Sequence, residues 1–263
     1  MTLEATKTES FYDRPNITKG VIDIGAGIPF GMEPVSNPSV GIGGVYGTWG
    51  ESFSNENLHF FIEERLGRPL PAAEKLNLSD LGFRSRHHIP LNLTPDEHSR
   101  LEIEVGAKFL SEAIKACNWE PSEVAGVLIG MSAPLSSDYL NQISRAAGIP
   151  ESALKVATHK ACDGSTSSLH LALNPTLPEN LQLHQNIAES LYGKKVLVGG
   201  IEGLSRFVGS SHDANALQLF GNAAGVVGVI PGKTMRLIAG KSHEAFDEGG
   251  LLQVQMYYPH SKQ

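Results

Sequence analysis

The chain has 263 residues but only two cysteines, Cys117 and Cys162. That is too few for a disulfide framework or a four-ligand zinc site, and it predicts a reducing compartment. Long apolar runs are also missing: no uninterrupted stretch approaches the ~18 residues that a membrane-crossing helix needs. The opening residues, MTLEATKTESFYDRPN, are polar and lack the apolar core of a signal peptide. Together these absences predict a soluble, cytoplasmic protein that does not engage a membrane. Basic residues are in deficit, 21 against 28 acidic ones, for a net charge of −7. A broad nucleic-acid surface is thereby disfavoured. No repeat of fixed period stands out.

What is present suits a globular α/β protein: 41% hydrophobic residues, 28 glycines and enough length for a sizeable core. GVIDIGAGIPFG reads as a short β run followed by turns, because Pro29, Pro34 and Pro38 exclude a helix there. SVGIGGVYGTWG is a second glycine-rich strand, and SNENLHFFIEERLG a helix capped by Ser54 and ended by Gly67. LTPDEHSRLEIEVGAKFLSEAIKACNW is the clearest helix. Thr94 is its N-cap, Pro95 its first residue, and Glu97 completes a capping box. Ile103, Phe109, Leu110, Ala113, Ile114 and Cys117 form its apolar face. PSEVAGVLIGMSAP and LKVATHKAC read as strands with the helix SSDYLNQISRAAG between them. Residues 174–193 read as an inserted loop and helix. KKVLVGGIE and LFGNAAGVVGVIPG are buried strands, with TMRLIAGKSHEAF expected to lie beside the latter. Strands alternating with helices predict a parallel or mixed sheet covered on its faces.

VIDIGAGIPFG has the glycines of a nucleotide-binding loop. Such a loop must open directly into a helix, and the prolines that follow forbid one, so turn glycines explain it better. Cys117 fits the role of a small core hydrophobe. Cys162 does not: it ends a strand and precedes Asp163, Gly164 and a run of small polar residues that opens a helix. A thiol there meets the positive end of a helix dipole, which favours thiolate. Gly164 allows a sharp turn and the approach of a substrate. These are the conditions for a nucleophile, whose natural product is an acyl thioester.

KACDGSTSSLHLAL resembles the nucleophile turn of the thiolase superfamily, and in particular that of β-ketoacyl-acyl-carrier-protein synthase III. LGFRSRHHI, the TPDEHSRLEIEVGAKFLSEAI helix, VLVGGIEGLSR and LFGNAAGVVGV are similar to that family's segments, in the same order. The resemblance spans about Val40 to Ile230. It implies a layered αβαβα fold that is incomplete here, a mixed sheet with a buried nucleophile helix. Residues 1–39 would be an arm and first strand, 40–230 the N-terminal half, and 231–263 a truncated start of the C-terminal half.

The resemblance also implies an acyltransferase of fatty acid or polyketide synthesis. Cys162 would take an acyl group from coenzyme A and pass it to a malonyl-type extender on acyl carrier protein. Coenzyme A thioester would be substrate, with no resident cofactor or metal. Arg206 falls where the family meets the coenzyme A nucleotide or carrier protein, although an ordinary surface arginine is an equal alternative.

Several positions depart from the family pattern. Asn222 and Ala223 replace aspartate and glycine in the family's GDGAG, and Asp80 stands where a basic contact is common. Ser136 and Ser137 replace a phenylalanine–proline pair, which implies a differently shaped acyl pocket. The family's later histidine and asparagine, which stabilise the enolate formed on decarboxylation, have no matching motif. His184, Gln185 and Asn186 imitate them in letters but precede the LFGNAAG strand, and read as a surface helix. His159 and His170 lie near Cys162 in sequence, while His243 and His260 come late without a motif. The resemblance implies a homodimer, and the missing residues a chain completed by a complementary C-terminal polypeptide. The alternative is a non-catalytic or truncated subunit that pairs with such a synthase chain.

Overall fold

In the computed structural model, residues 18–22, 28–37, 39, 41–89, 93–132, 136–175, 186–208, 213–240, 257–258 and 261–262 are described. Three strands open the chain: β1 (Thr18–Ile22), β2 (Ile28–Asn37) and β3 (Ile42–Trp49), paired antiparallel. The expected turn around Pro29 and Pro34 is thus part of strand β2, and both prolines lie on exposed positions of it. Since β2 is a strand, the glycine segment before it does not open into the helix that phosphate binding requires. The sheet also runs straight across the expected boundary at residues 39–40, so β1 and β2 are part of the main body rather than an arm.

β4 (Glu51–Ser54) pairs with β5 (Ser85–His88) in a small separate sheet. Between them runs α1 (Asn55–Leu66), capped by Ser54 and ended by Gly67 at φ 65°, a left-handed position suited to glycine. α2 (Pro95–Ala116) begins with the predicted capping box. Thr94 Oγ1 accepts from Glu97 N–H at 3.3 Å, and the Glu97 carboxylate accepts from Thr94 N–H at 2.7 Å. The Thr94 N–H, together with the Thr94 hydroxyl that also donates to the carboxylate at 2.8 Å, holds the Glu97 carboxyl below the usual range.

The remaining elements are β6 (Val124–Gly130), α3 (Tyr139–Ala146), β7 (Leu154–Thr158), α4 (Gly164–Leu173) and α5 (Ile187–Leu191). They are followed by β8 (Lys195–Gly203), α6 (Ser205–Val208), α7 (Ala214–Leu219) and β9 (Asn222–Val229). β10 (Tyr257–Tyr258) pairs with β11 (Ser261–Lys262).

The main sheet has seven strands in the order β1-β2-β3-β9-β8-β6-β7, with β7, β6 and β8 parallel and the rest antiparallel. α2 lies on one face. Its Phe109 is fully buried between Phe30 and Trp49, with ring centroids 5.5 and 5.9 Å away. Burying a side chain of that size is worth about 1.5–3 kcal/mol. α4 and α5 lie on the opposite face over Leu128, Val196 and Val198. Successive strand residues point to opposite faces, so Val127 and Ile129 meet α2 while Leu128 meets α4. The run VAGVLIG is apolar throughout because β6 is covered on both sides.

The expected strand after β9 does not form among the described residues. Gly232 at φ 80° and a hydrogen bond from Ile230 N–H to Thr234 Oγ1 at 2.7 Å turn the chain tightly there. β9 instead pairs with β8 and β3.

Candidate active site

The parallel strands β6, β7 and β8 end at Gly130, Thr158 and Gly203, and the candidate residues gather at these ends. β7 passes through His159 and Lys160 into a single 3₁₀ turn, Ala161–Asp163, and then into α4. Cys162 sits in the middle of that turn, and its thiol is exposed. The neighbouring Ala161 has φ 43°, a left-handed conformation that costs a residue with a Cβ about 1–2 kcal/mol. The sharp turn expected at Gly164 therefore lies at Ala161.

Gly164 has ordinary helical angles, φ −55° and ψ −46°, and is buried. A Cβ added to it would stand 3.0 Å from Gly130 Cα, and one added to Gly130 would stand 2.2 Å from the Gly164 carbonyl carbon. The pair of glycines lets α4 press directly on β6, so the visible role of Gly164 is close helix–strand approach rather than presenting backbone to a ligand. Gly200 does the same for β8, since a Cβ there would meet Ser165 Oγ at 2.2 Å. Thr158 fastens the turn from beneath. Its hydroxyl donates to the Gly164 carbonyl at 3.0 Å and also meets Ser168 Oγ. Asp163 accepts from Ser167 Oγ at 2.7 Å.

Arg206 lies inward, not on the surface where a nucleotide contact would need it. It is 5% exposed, and its Nη1 is 3.4 Å from Glu102 Oε2. Burial pushes the Glu102 carboxyl up, opposed by the Arg206 guanidinium. Glu202, at the end of β8, accepts from Ser132 N–H at 2.6 Å. Burial pushes its carboxyl up as well, with the Ser132 hydrogen bond, Arg206 and His159 pulling the other way. Glu202 was missed as a site residue although it stands in the quoted segment VLVGGIEGLSR. A lone carboxylate at the end of an apolar strand was the signal.

His159 is exposed beside this turn. A histidine–asparagine hydrogen bond does occur, between His170 and Asn174 at 2.7 Å, but toward the far end of α4. At ~1.5 Å of rise per residue, His170 stands about 12 Å along the helix from Cys162, out of reach of its sulfur. Asn186 caps α5 by accepting from Glu189 N–H at 3.2 Å, and Ile187, Ala188 and Leu191 are buried, so this segment is a packed helix end rather than a surface helix. His184, Gln185, His243 and His260 lie outside the described residues. Cys117 is half-buried, its thiol pushed up by burial and its Sγ donating to the Gly43 carbonyl at 3.2 Å. That is the structural role expected of it. No group of three or more potential metal ligands occurs among the described residues. No described helix is long and apolar enough to cross a membrane.

Along α4 runs a largely apolar cleft of about 610 Å³, bounded by Ser165, Thr166 and Leu169 of the helix and by Val35, Tyr46 and Val227 of the strands.

No family model matches the chain, and no curated protein does. Among solved structures, the 1,3,6,8-tetrahydroxynaphthalene synthase of Streptomyces coelicolor A3(2), a bacterial type III polyketide synthase, superposes with a TM-score of 0.50 at 11% identity. The match covers 68% of this chain and 53% of that one. The fold is thiolase-like. A 3-oxoacyl-(acyl-carrier-protein) synthase III is 21% identical over 78% of this chain and 50% of its own, with a TM-score of 0.46. The synthase III of Aquifex aeolicus VF5 is 17% identical over 70% and 50%, with a TM-score of 0.45. The chain thus spans about half the length of the structures it resembles.

Within this thiolase-like frame Asn222 has a clear physical account. Its Oδ1 accepts from the Ser205 N–H at 3.0 Å and from the Ser205 hydroxyl at 2.8 Å, while its Nδ2 donates to the Trp49 carbonyl at 3.2 Å. An ionised aspartate could not make that last bond. Asn222 therefore ties the start of α6, and Arg206 with it, to the end of β3. Asp80 is a surface-turn residue that accepts from Asn77 Nδ2 at 2.7 Å, and Ser136 and Ser137 are exposed.

Proposed function

We propose that the chain is a condensing acyltransferase of the β-ketoacyl-acyl-carrier-protein synthase III type, with Cys162 as its nucleophile. The observation that carries this reading is the exposed thiol on a strained turn, one residue short of the α4 N-terminus and braced by buried hydroxyls. Thiolate attacks the carbonyl carbon of an acyl-coenzyme A. The carbon–sulfur bond to coenzyme A breaks, and the coenzyme leaves as a thiolate that takes up a proton. In the second half-reaction a malonyl-type extender on acyl carrier protein loses carbon dioxide, its carbanion attacks the acyl carbon, and Cys162 is released. The apolar cleft beside α4 is of a size to hold an acyl chain.

Mass spectrometry of the chain incubated with acyl-coenzyme A tests the first half-reaction. Cys162 should gain the acyl mass, and the Cys162→Ala chain should not. An unmodified Cys162 would refute the nucleophile.

The second reading is a non-catalytic subunit that binds a complementary chain carrying the histidine and asparagine. It is favoured by the distance of the His170–Asn174 pair from Cys162 and by the apolar cleft on the sheet face. Under it, Cys162→Ala leaves the activity of the assembled complex unchanged.

A further inference from the structure

Beneath the candidate site lie three charged side chains from three different elements: Glu102 from α2 and Arg206 from α6, paired in the interior, and the half-buried Glu202 from β8 near them. We propose that they are positioning residues for the Cys162 turn, a buried ionic bracket that fixes the end of β6 against the start of α4. This rests on reading Cys162 as the nucleophile.

The contacts run from the buried ion pair, by way of the strand end that carries Glu202 and Gly203, to the turn. Arg206 Nη1 is 3.4 Å from Glu102 Oε2, and both side chains are almost fully enclosed. Glu202 reaches from β8 across the strand ends and takes the Ser132 N–H at 2.6 Å. One residue back, Met131 N–H donates to the Thr158 carbonyl at 3.0 Å, which joins the end of β6 to the residue where the nucleophile turn begins. One further back is Gly130, the platform on which Gly164 rests. A carboxylate at the end of β8 thereby sets the height of the helix that follows Cys162.

Stability alone does not account for the arrangement. One fully buried and one half-buried carboxyl against a single guanidinium is a poor charge balance, and apolar replacements of buried ionic groups are often neutral or stabilising. Burial pushes both carboxyls up. Glu202 Oε1 is buried with no hydrogen-bond partner among the described residues. The backbone also makes room for the bracket. A Cβ at Gly203 would fall 2.3 and 2.4 Å from the two Glu102 carboxylate oxygens, so only glycine lets that carboxylate lie against β8. These features bring a carboxylate to one backbone amide beside the nucleophile turn, at a cost in burial.

The test measures iodoacetamide alkylation of Cys162 against pH, by peptide mass spectrometry on the full chain, with thermal midpoints recorded in parallel. It needs no acyl donor, so it reads the bracket even if acyl transfer is refuted. Glu202→Ala removes the acceptor for Ser132 and should move the alkylation profile up by at least about half a pH unit, roughly threefold slower at neutral pH. Glu202→Gln keeps an acceptor oxygen and should restore the wild-type profile. Gly203→Ala, which displaces the Glu102 carboxylate without removing a charge, should shift the profile like Glu202→Ala. An unmoved profile in both alanine variants would overturn the bracket. So would a glutamine variant altered as much as Glu202→Ala, since the Ser132 contact would then be irrelevant. If Glu202→Ala fails to fold, the Gly203→Ala and Glu202→Gln profiles decide the matter.

Discussion

His88 is the residue whose surroundings say most about pH. It is 1% exposed, its ring stacks on Phe61 at 4.7 Å between centroids, and neither ring nitrogen has a hydrogen-bond partner among the described residues. Burial, with Arg86 and His87 nearby, pushes its pKa down to about 4. The unfolded chain therefore binds a proton on this ring at a higher pH than the folded one does. The stability that His88 confers is complete above about pH 6.5 and is lost as pH falls toward 4, in total about 3 kcal/mol. Chemical denaturation at pH 7 and at pH 4.5 should show that loss, and His88→Phe should flatten it. An equal slope in both proteins would refute the assignment. At this scale the sequence was legible for Cys162 and Cys117, whose places in a turn and on a helix face follow from their neighbours. It was not legible for Arg206. An arginine reads as a surface residue until a buried carboxylate from a distant helix is known to face it, and the 100-odd residues that separate Glu102 from Arg206 hide that pairing.

Among the elements, the contact of α4 with β6 leaves no room for a side chain. Gly130→Ala would force a Cβ to 2.2 Å from the Gly164 carbonyl carbon and 2.4 Å from Ser165 N, both backbone atoms that cannot rotate away. Overpacking of this kind costs about 1–3 kcal/mol. A lowered denaturation midpoint together with slower Cys162 modification is expected. A stable variant with unchanged thiol chemistry would show that α4 does not depend on that contact. α1 and α2 were legible to the residue because their caps are local: Ser54, Thr94 and Glu97 act within a turn of where they stand. β2 was obscured by its prolines. Two antiparallel partners hold it extended in spite of them, and pairing of that kind is invisible in a single stretch of chain.

For the whole molecule, the open question is what meets the free side of β7. Among the described residues this strand pairs only with β6, which leaves it at the edge of a seven-stranded sheet directly before the nucleophile turn. An unprotected edge is a template for another strand. We expect two copies to join there across a twofold axis, giving a dimer mass by light scattering and slow amide exchange over residues 154–158. A monomer with rapidly exchanging β7 amides would contradict this. The alternation of strands and helices made the mixed sheet legible, and the segments around Cys162 and β9 pointed to its thiolase-like form. The order of its strands was not legible, because β3 and β9 lie side by side although about two thirds of the chain runs between them.

Ala161 carries a consequence for how the Cys162 loop can move. Glycine would sit there without steric penalty, but it would also widen the range of backbone angles open to the loop and raise the entropy lost each time the thiol is aligned. A methyl group at that position narrows the choice. The loop gives up folding energy for stiffness, and the Cys162 sulfur is held in place beforehand.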